Sequence, residues 1–64
     1  MPNIEIDGPP LKDLDKKRRM VREITDAAEK AYGIRREAFV VVIRENPGEN
    51  VAVGGELLSD KYGK

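Results

Sequence analysis

The run Phe39-Val40-Val41-Val42-Ile43-Arg44-Glu45 sets the hardest condition on this chain. β-Branched residues fill it without polar–apolar alternation, which predicts a strand covered on both faces. Upstream, Met20, Val21, Ile24, Ala27, Ala28 and Ala31 recur at spacings of three and four, one apolar stripe of an amphipathic helix over about 14–32. Asp13 fits the N-cap of that helix, and Gly33 fits the left-handed position that ends it. Earlier still, Asn3-Ile4-Glu5-Ile6-Asp7 alternates with period two and reads as a strand from about Pro2 to Asp7, stopped by Gly8-Pro9-Pro10. Strand, helix, strand with this spacing is a βαβ unit, and its two strands run parallel. The helix can cover one face of the valine-rich strand. Nothing else in the chain is large enough to cover the other, so the sequence asks for a second sheet or another subunit.

The remainder is short. Asn46-Pro47-Gly48-Glu49-Asn50 is a loop by composition, and Val51-Ala52-Val53 is an edge strand or hairpin arm. Gly54-Gly55 marks a tight turn, Leu57 and Leu58 are candidates for packing on a neighbour, and Asp60 to Lys64 read as frayed. The predicted fold class is therefore α/β (α+β): one βαβ unit plus a short C-terminal hairpin or edge strand, with residues 1–64 forming one domain completed by oligomerisation.

Size and composition support the same conclusion. A chain of 64 residues buries only about 60% of its unfolded surface and usually needs disulfides, metal or oligomerisation. With no Cys and no His, disulfides and ordinary zinc sites are excluded, leaving self-association. Twelve Lys+Arg against twelve Asp+Glu give zero formal charge, which argues against a general nucleic-acid binder. The cluster Lys16-Lys17-Arg18-Arg19 accordingly reads as a solvated helix face. No stretch resembles a signal peptide or a membrane span, so the expected setting is cytoplasmic, with no membrane partner.

The missing residue types also limit the chemistry. Without His or Cys, proton transfer falls to carboxylates, Lys, Tyr or a terminal amine. Pro2 then matters. If Met1 is removed, Pro2 carries a secondary amine, a base held by a rigid ring; if Met1 stays, the nitrogen is an amide and the base is gone.

Taken together, Pro2, the Ile4 and Ile6 strand, the helix around Val21-Arg22-Glu23-Ile24, Val41-Val42-Ile43 closed by Glu45, and Val53-Gly54-Gly55-Glu56-Leu57 followed by Ser59 carry a resemblance. The chain resembles the 4-oxalocrotonate tautomerase family over nearly its whole length. That resemblance implies a cofactor-free, metal-free isomerase that moves a proton on a small unsaturated 2-oxo or 2-hydroxy acid, with Pro2 as general base and acid. It also implies a homohexamer, a trimer of dimers, with active sites at subunit boundaries. The family's loop arginine falls on Lys12, which keeps the charge and loses the bidentate fork. Its second arginine falls on Val40, which cannot bind a carboxylate. Arg44, four residues on and on the same strand face, is one replacement, and Arg36 or Arg35 at the start of the strand is another. Arg44 has a competing role as an ion pair with Glu45 or a neighbour. The family's aromatic wall falls on Val51, which keeps an apolar surface. Related proline-dependent reactions (hydration, dehalogenation, decarboxylation) need a further carboxylate, for which Glu5, Asp7 and Glu49 are available. A non-catalytic oligomeric domain that keeps the fold is the alternative from another class.

Overall fold

The computed structural model describes residues 1–62. Its elements are β1 (Asn3–Gly8), α1 (Leu14–Tyr32), β2 (Val40–Glu45), β3 (Ala52–Val53), β4 (Glu56–Leu57) and α2 (Leu58–Lys61), with 3-10 turns at Arg36–Ala38 and Gly48–Asn50. β1 and β2 pair in parallel, with Asn3 opposite Val40 and Asp7 opposite Arg44. The βαβ unit is as the sequence predicts.

Both ends of α1 are set by local chemistry. The Asp13 carboxylate accepts from the Asp15 and Lys16 backbone N–H groups at 3.0 and 3.2 Å, satisfying donors that the first turn leaves unpaired. Gly33, at φ 68°, takes the left-handed conformation, and its N–H donates to the Glu29 carbonyl at 2.8 Å. Of the basic cluster, Lys16, Arg18 and Arg19 are exposed, whereas Lys17 turns inward. Gly54 and Gly55 both lie at positive φ, 62° and 85°. That is the requirement of a type I′ turn, and it closes the β3–β4 hairpin. Asp60 and Lys61 differ from expectation: they belong to the single helical turn α2. That turn is tied back where the Leu58 N–H donates to the Val51 carbonyl at 2.8 Å. The expectation of fraying at Gly63 and Lys64 lies outside the described residues.

The sheet has two unequal faces. Ile4, Ile6, Val41 and Ile43 are half-buried, while Asn3, Glu5, Asp7, Val40, Val42 and Arg44 are exposed on the other side. Val40 and Val42 leave 41% and 43% of their surface open, so the valine-rich strand receives only half the cover its sequence demands. Among the described residues none is fully buried. The protomer exposes 5122 Å², whereas a compact globule of 7.2 kDa exposes about 4,100 Å². Its radius of gyration is 15.2 Å, against about 11 Å for a compact chain of this length. At 43 × 25 × 13 Å the subunit is a plate, one helix on two strands.

Candidate active site

Because β1 and β2 are parallel, both begin at one end of the plate and finish at the other. Pro2 stands at the starting end. Its carbonyl accepts from the Val40 N–H at 3.1 Å, the first rung of the ladder, while Met1 beyond it is 86% exposed. The backbone thus fixes the proline ring and leaves its nitrogen side open. Close by, the Tyr32 and Phe39 rings meet edge to face with centroids 5.8 Å apart, joining the end of α1 to the start of β2.

Arg36 lies at this same end but is committed elsewhere. Its Nη1 reaches Asp26 at 2.8 Å and Glu29 at 2.9 Å, and its Nη2 donates to the Arg22 carbonyl at 3.2 Å. The hydrogen bond that Arg36 donates to Asp26 raises the guanidinium pKa above its ordinary value, with burial acting against it and Glu29 adding to it. Arg36 therefore pins the 3-10 turn onto α1. Arg35, by contrast, is largely exposed beside Glu37 at 3.4 Å.

Lys12, Arg44 and Val51 gather at the far end. Arg44 shares the helix-free face with Val40, as expected. Its partners are Glu5 at 2.8 Å and Asp7 at 3.7 Å across the ladder rather than Glu45. Val51 lines an apolar recess of about 310 Å³ with Gly8, Pro9, Gly48 and Leu58. Lys12 sits in the loop after β1, exposed, and makes no ion pair among the described residues. Next to it, the Leu11 N–H donates to Glu45 Oε2 at 3.2 Å, and the same oxygen takes Lys17 Nζ at 2.6 Å. The Lys17 hydrogen bond, then the Leu11 one, holds the Glu45 carboxyl below the usual carboxylate range. The sequence marks Glu45 only as the carboxylate that closes the strand, and nothing local in it points to Lys17 or Leu11.

Pro2 and Lys12 are separated by the whole of β1, six residues or about 20 Å. One protomer cannot bring them together. The chain presents Pro2 at one end of the sheet and Lys12, Arg44 and Val51 at the other.

A family model described as Tautomerase enzyme matches residues 2–61. The chain belongs to the tautomerase family. Among solved structures, this tautomerase chain is similar to DmpI from Archaeoglobus fulgidus at 44% identity, covering 92% of this chain and 100% of that one with a TM-score of 0.81. It is similar to YwhB, a homologue of 4-oxalocrotonate tautomerase, at 30% identity over 92% and 97% of the two chains, TM-score 0.83. A heterohexameric 4-oxalocrotonate tautomerase from Chloroflexus aurantiacus J-10-fl shares the fold, with 22% identity, 94% and 97% coverage and a TM-score of 0.80. No curated protein matches the chain by sequence. Among the described residues, no helix is long and apolar enough to cross a membrane, and no cluster of acidic side chains has the geometry of a metal site.

Proposed function

We propose that this chain is a cofactor-independent keto–enol tautomerase acting on a small unsaturated 2-oxo or 2-hydroxy acid. The observation that carries the reading is the tautomerase match across residues 2–61, with Pro2 at its head. Removal of Met1 converts the Pro2 amide nitrogen into a secondary amine. A free α-amine titrates near ~8 in model peptides. Enclosure at an apolar subunit boundary and nearby positive charge both disfavour its protonated form, bringing it toward neutrality, where giving and taking a proton are balanced. The amine removes a proton at one position of the enol system and returns it at another. Atoms and electrons balance without an oxidant or a co-reactant.

Lys12 of a neighbouring copy holds the substrate carboxylate and steadies the charge that develops on oxygen. Val51 supplies the apolar wall. Arg44 is the second cation if it exchanges Glu5 for substrate, and Arg36 serves the site by holding the turn before β2. The assembly is a homohexamer, a trimer of dimers, and its setting is the cytoplasm. The open valine face, the missing core and the excess surface support association, as does the shared fold of the Chloroflexus heterohexamer.

The test is tautomerisation of phenylpyruvate and of 2-hydroxymuconate by protein whose intact mass shows Met1 removed, against Pro2→Ala. Equal rates in both proteins end the proline assignment. Pairing of both Arg36 and Arg44 with carboxylates favours one rival, a non-catalytic oligomeric domain. No activity in the processed chain would decide for it.

A further inference from the structure

The geometry points to Glu45 as the positioning residue of the Lys12 loop, with Lys17 as the counter-ion that keeps Glu45 from capturing Lys12. This rests on the reading of Lys12 as the cation that binds the substrate carboxylate.

Three pieces of chain meet at one oxygen. Glu45 closes β2, Lys17 lies one turn into α1, and Leu11 belongs to the loop between β1 and α1. Oε2 of Glu45 accepts from Leu11 N–H at 3.2 Å and from Lys17 Nζ at 2.6 Å. Leu11 immediately precedes Lys12, so its fixed N–H sets where the Lys12 backbone starts. Among the described residues no other hydrogen bond fixes the loop between Gly8 and Asp13. Pro9 and Pro10 have no N–H to give, and the next side-chain anchor is Asp13, which is occupied by the helix start.

A carboxylate beside a binding lysine carries a hazard. Lys12 is near enough to act on the charge of Glu45, and an intramolecular ion pair there would compete with substrate. Lys17 answers it. The Lys17 and Glu45 side chains are 27% and 31% exposed, partly screened from water, which favours this pair over one made by the exposed Lys12 side chain. One carboxylate therefore does two things: it anchors the loop backbone, and it is neutralised by a lysine other than the one the site uses.

Two readouts separate this from a purely structural role. The first is amide exchange at Leu11, which does not depend on activity. Glu45→Ala speeds it and Glu45→Gln, whose amide oxygen still accepts, restores protection. The second is steady-state tautomerisation of phenylpyruvate. Glu45→Ala raises KM about tenfold with kcat within about twofold, the scale of one hydrogen bond to a charged group. Glu45→Gln recovers most of the loss. Lys17→Ala leaves the Leu11 contact and frees Glu45 for Lys12, raising KM about fivefold. Glu45→Ala adds nothing to a Lys12→Ala background. Unchanged Leu11 exchange in Glu45→Ala overturns the anchor, whatever the activity. An unchanged KM in Lys17→Ala overturns the counter-ion role, and carries the decision if Glu45→Ala fails to assemble. If Lys12→Ala itself leaves KM unchanged, the substrate role of Lys12 falls and the positioning proposal falls with it. Loss of activity in Pro2→Ala stands apart from all of these.

Discussion

The two ends of the plate are built in opposite ways. At the Pro2 end the proposed base is held through one backbone rung at its own carbonyl, with an exposed methionine before it and Arg36, at the same end, tied into the helix. At the other end, Lys12 and Val51 stand beside Glu45, Lys17, Leu11 and the apolar recess between the ends of β1 and β2 and Leu58. A base needs one atom in place and an environment that shifts its proton affinity. A substrate clamp needs its cation, wall and loop fixed together. In the proposed assembly the bare end takes its surroundings from another copy, whereas the braced end is built within one chain.

The sharpest way to break this contrast is at the bare end. Pro2→Ala, or retention of Met1, should lower kcat/KM by about 10²- to 10⁴-fold, the range for a general acid–base group, while leaving the far-ultraviolet dichroism and the oligomer unchanged. A change in assembly with normal turnover per site would reverse the assignment. Next comes the surface that brings the ends together. Val42→Glu puts a charge into the middle of the open valine face and should weaken association by several kcal/mol, read as a shift toward 7 kDa species in sedimentation. If Val42→Glu assembles normally, the open face is not the interface.

Smaller effects follow in the braces. Asp13→Ala removes the side-chain acceptor at the start of α1 and should cost about 1 kcal/mol in thermal or urea unfolding of the assembled protein, with KM little changed. The smallest effect concerns acid. Glu45 has a folded-state pKa below its usual 4.5 because Lys17 and Leu11 bind its ionised form. Its contribution is fully present above the unfolded value and is lost as pH falls through the folded one. Melting temperature followed from pH 6 downward should therefore fall less steeply below about 4.5 in Glu45→Gln than in the parent. Parallel curves would remove Glu45 from the acid response.

How much of this was readable beforehand depended on distance along the chain. Asp13 and Gly33 announce the ends of α1 because caps act over three or four residues, and Gly54-Gly55 announces the hairpin because two successive positive φ angles suit glycine. The valine run announced a face without cover, and Val40 and Val42 are indeed exposed. The partners of Arg36, Arg44 and Glu45 were not legible. They depend on register, Asp7 against Arg44, and on how α1 lies along the sheet, neither of which leaves a local trace. The Leu58–Lys61 turn was missed for the same reason: its tie to Val51 is made across a hairpin.

The separation of Pro2 from Lys12 along β1 has a genetic consequence. Where one copy lends the base and another lends the cation, two defective chains can rescue each other. Unfolding and refolding an equal mixture of Pro2→Ala and Lys12→Ala proteins would pair an intact proline with an intact lysine at about one site in four, if subunits mix at random. A site contained within one chain would yield none. Duplicated genes for such a chain could each lose one end and remain jointly active, which makes a mixed assembly easy to enter and hard to leave.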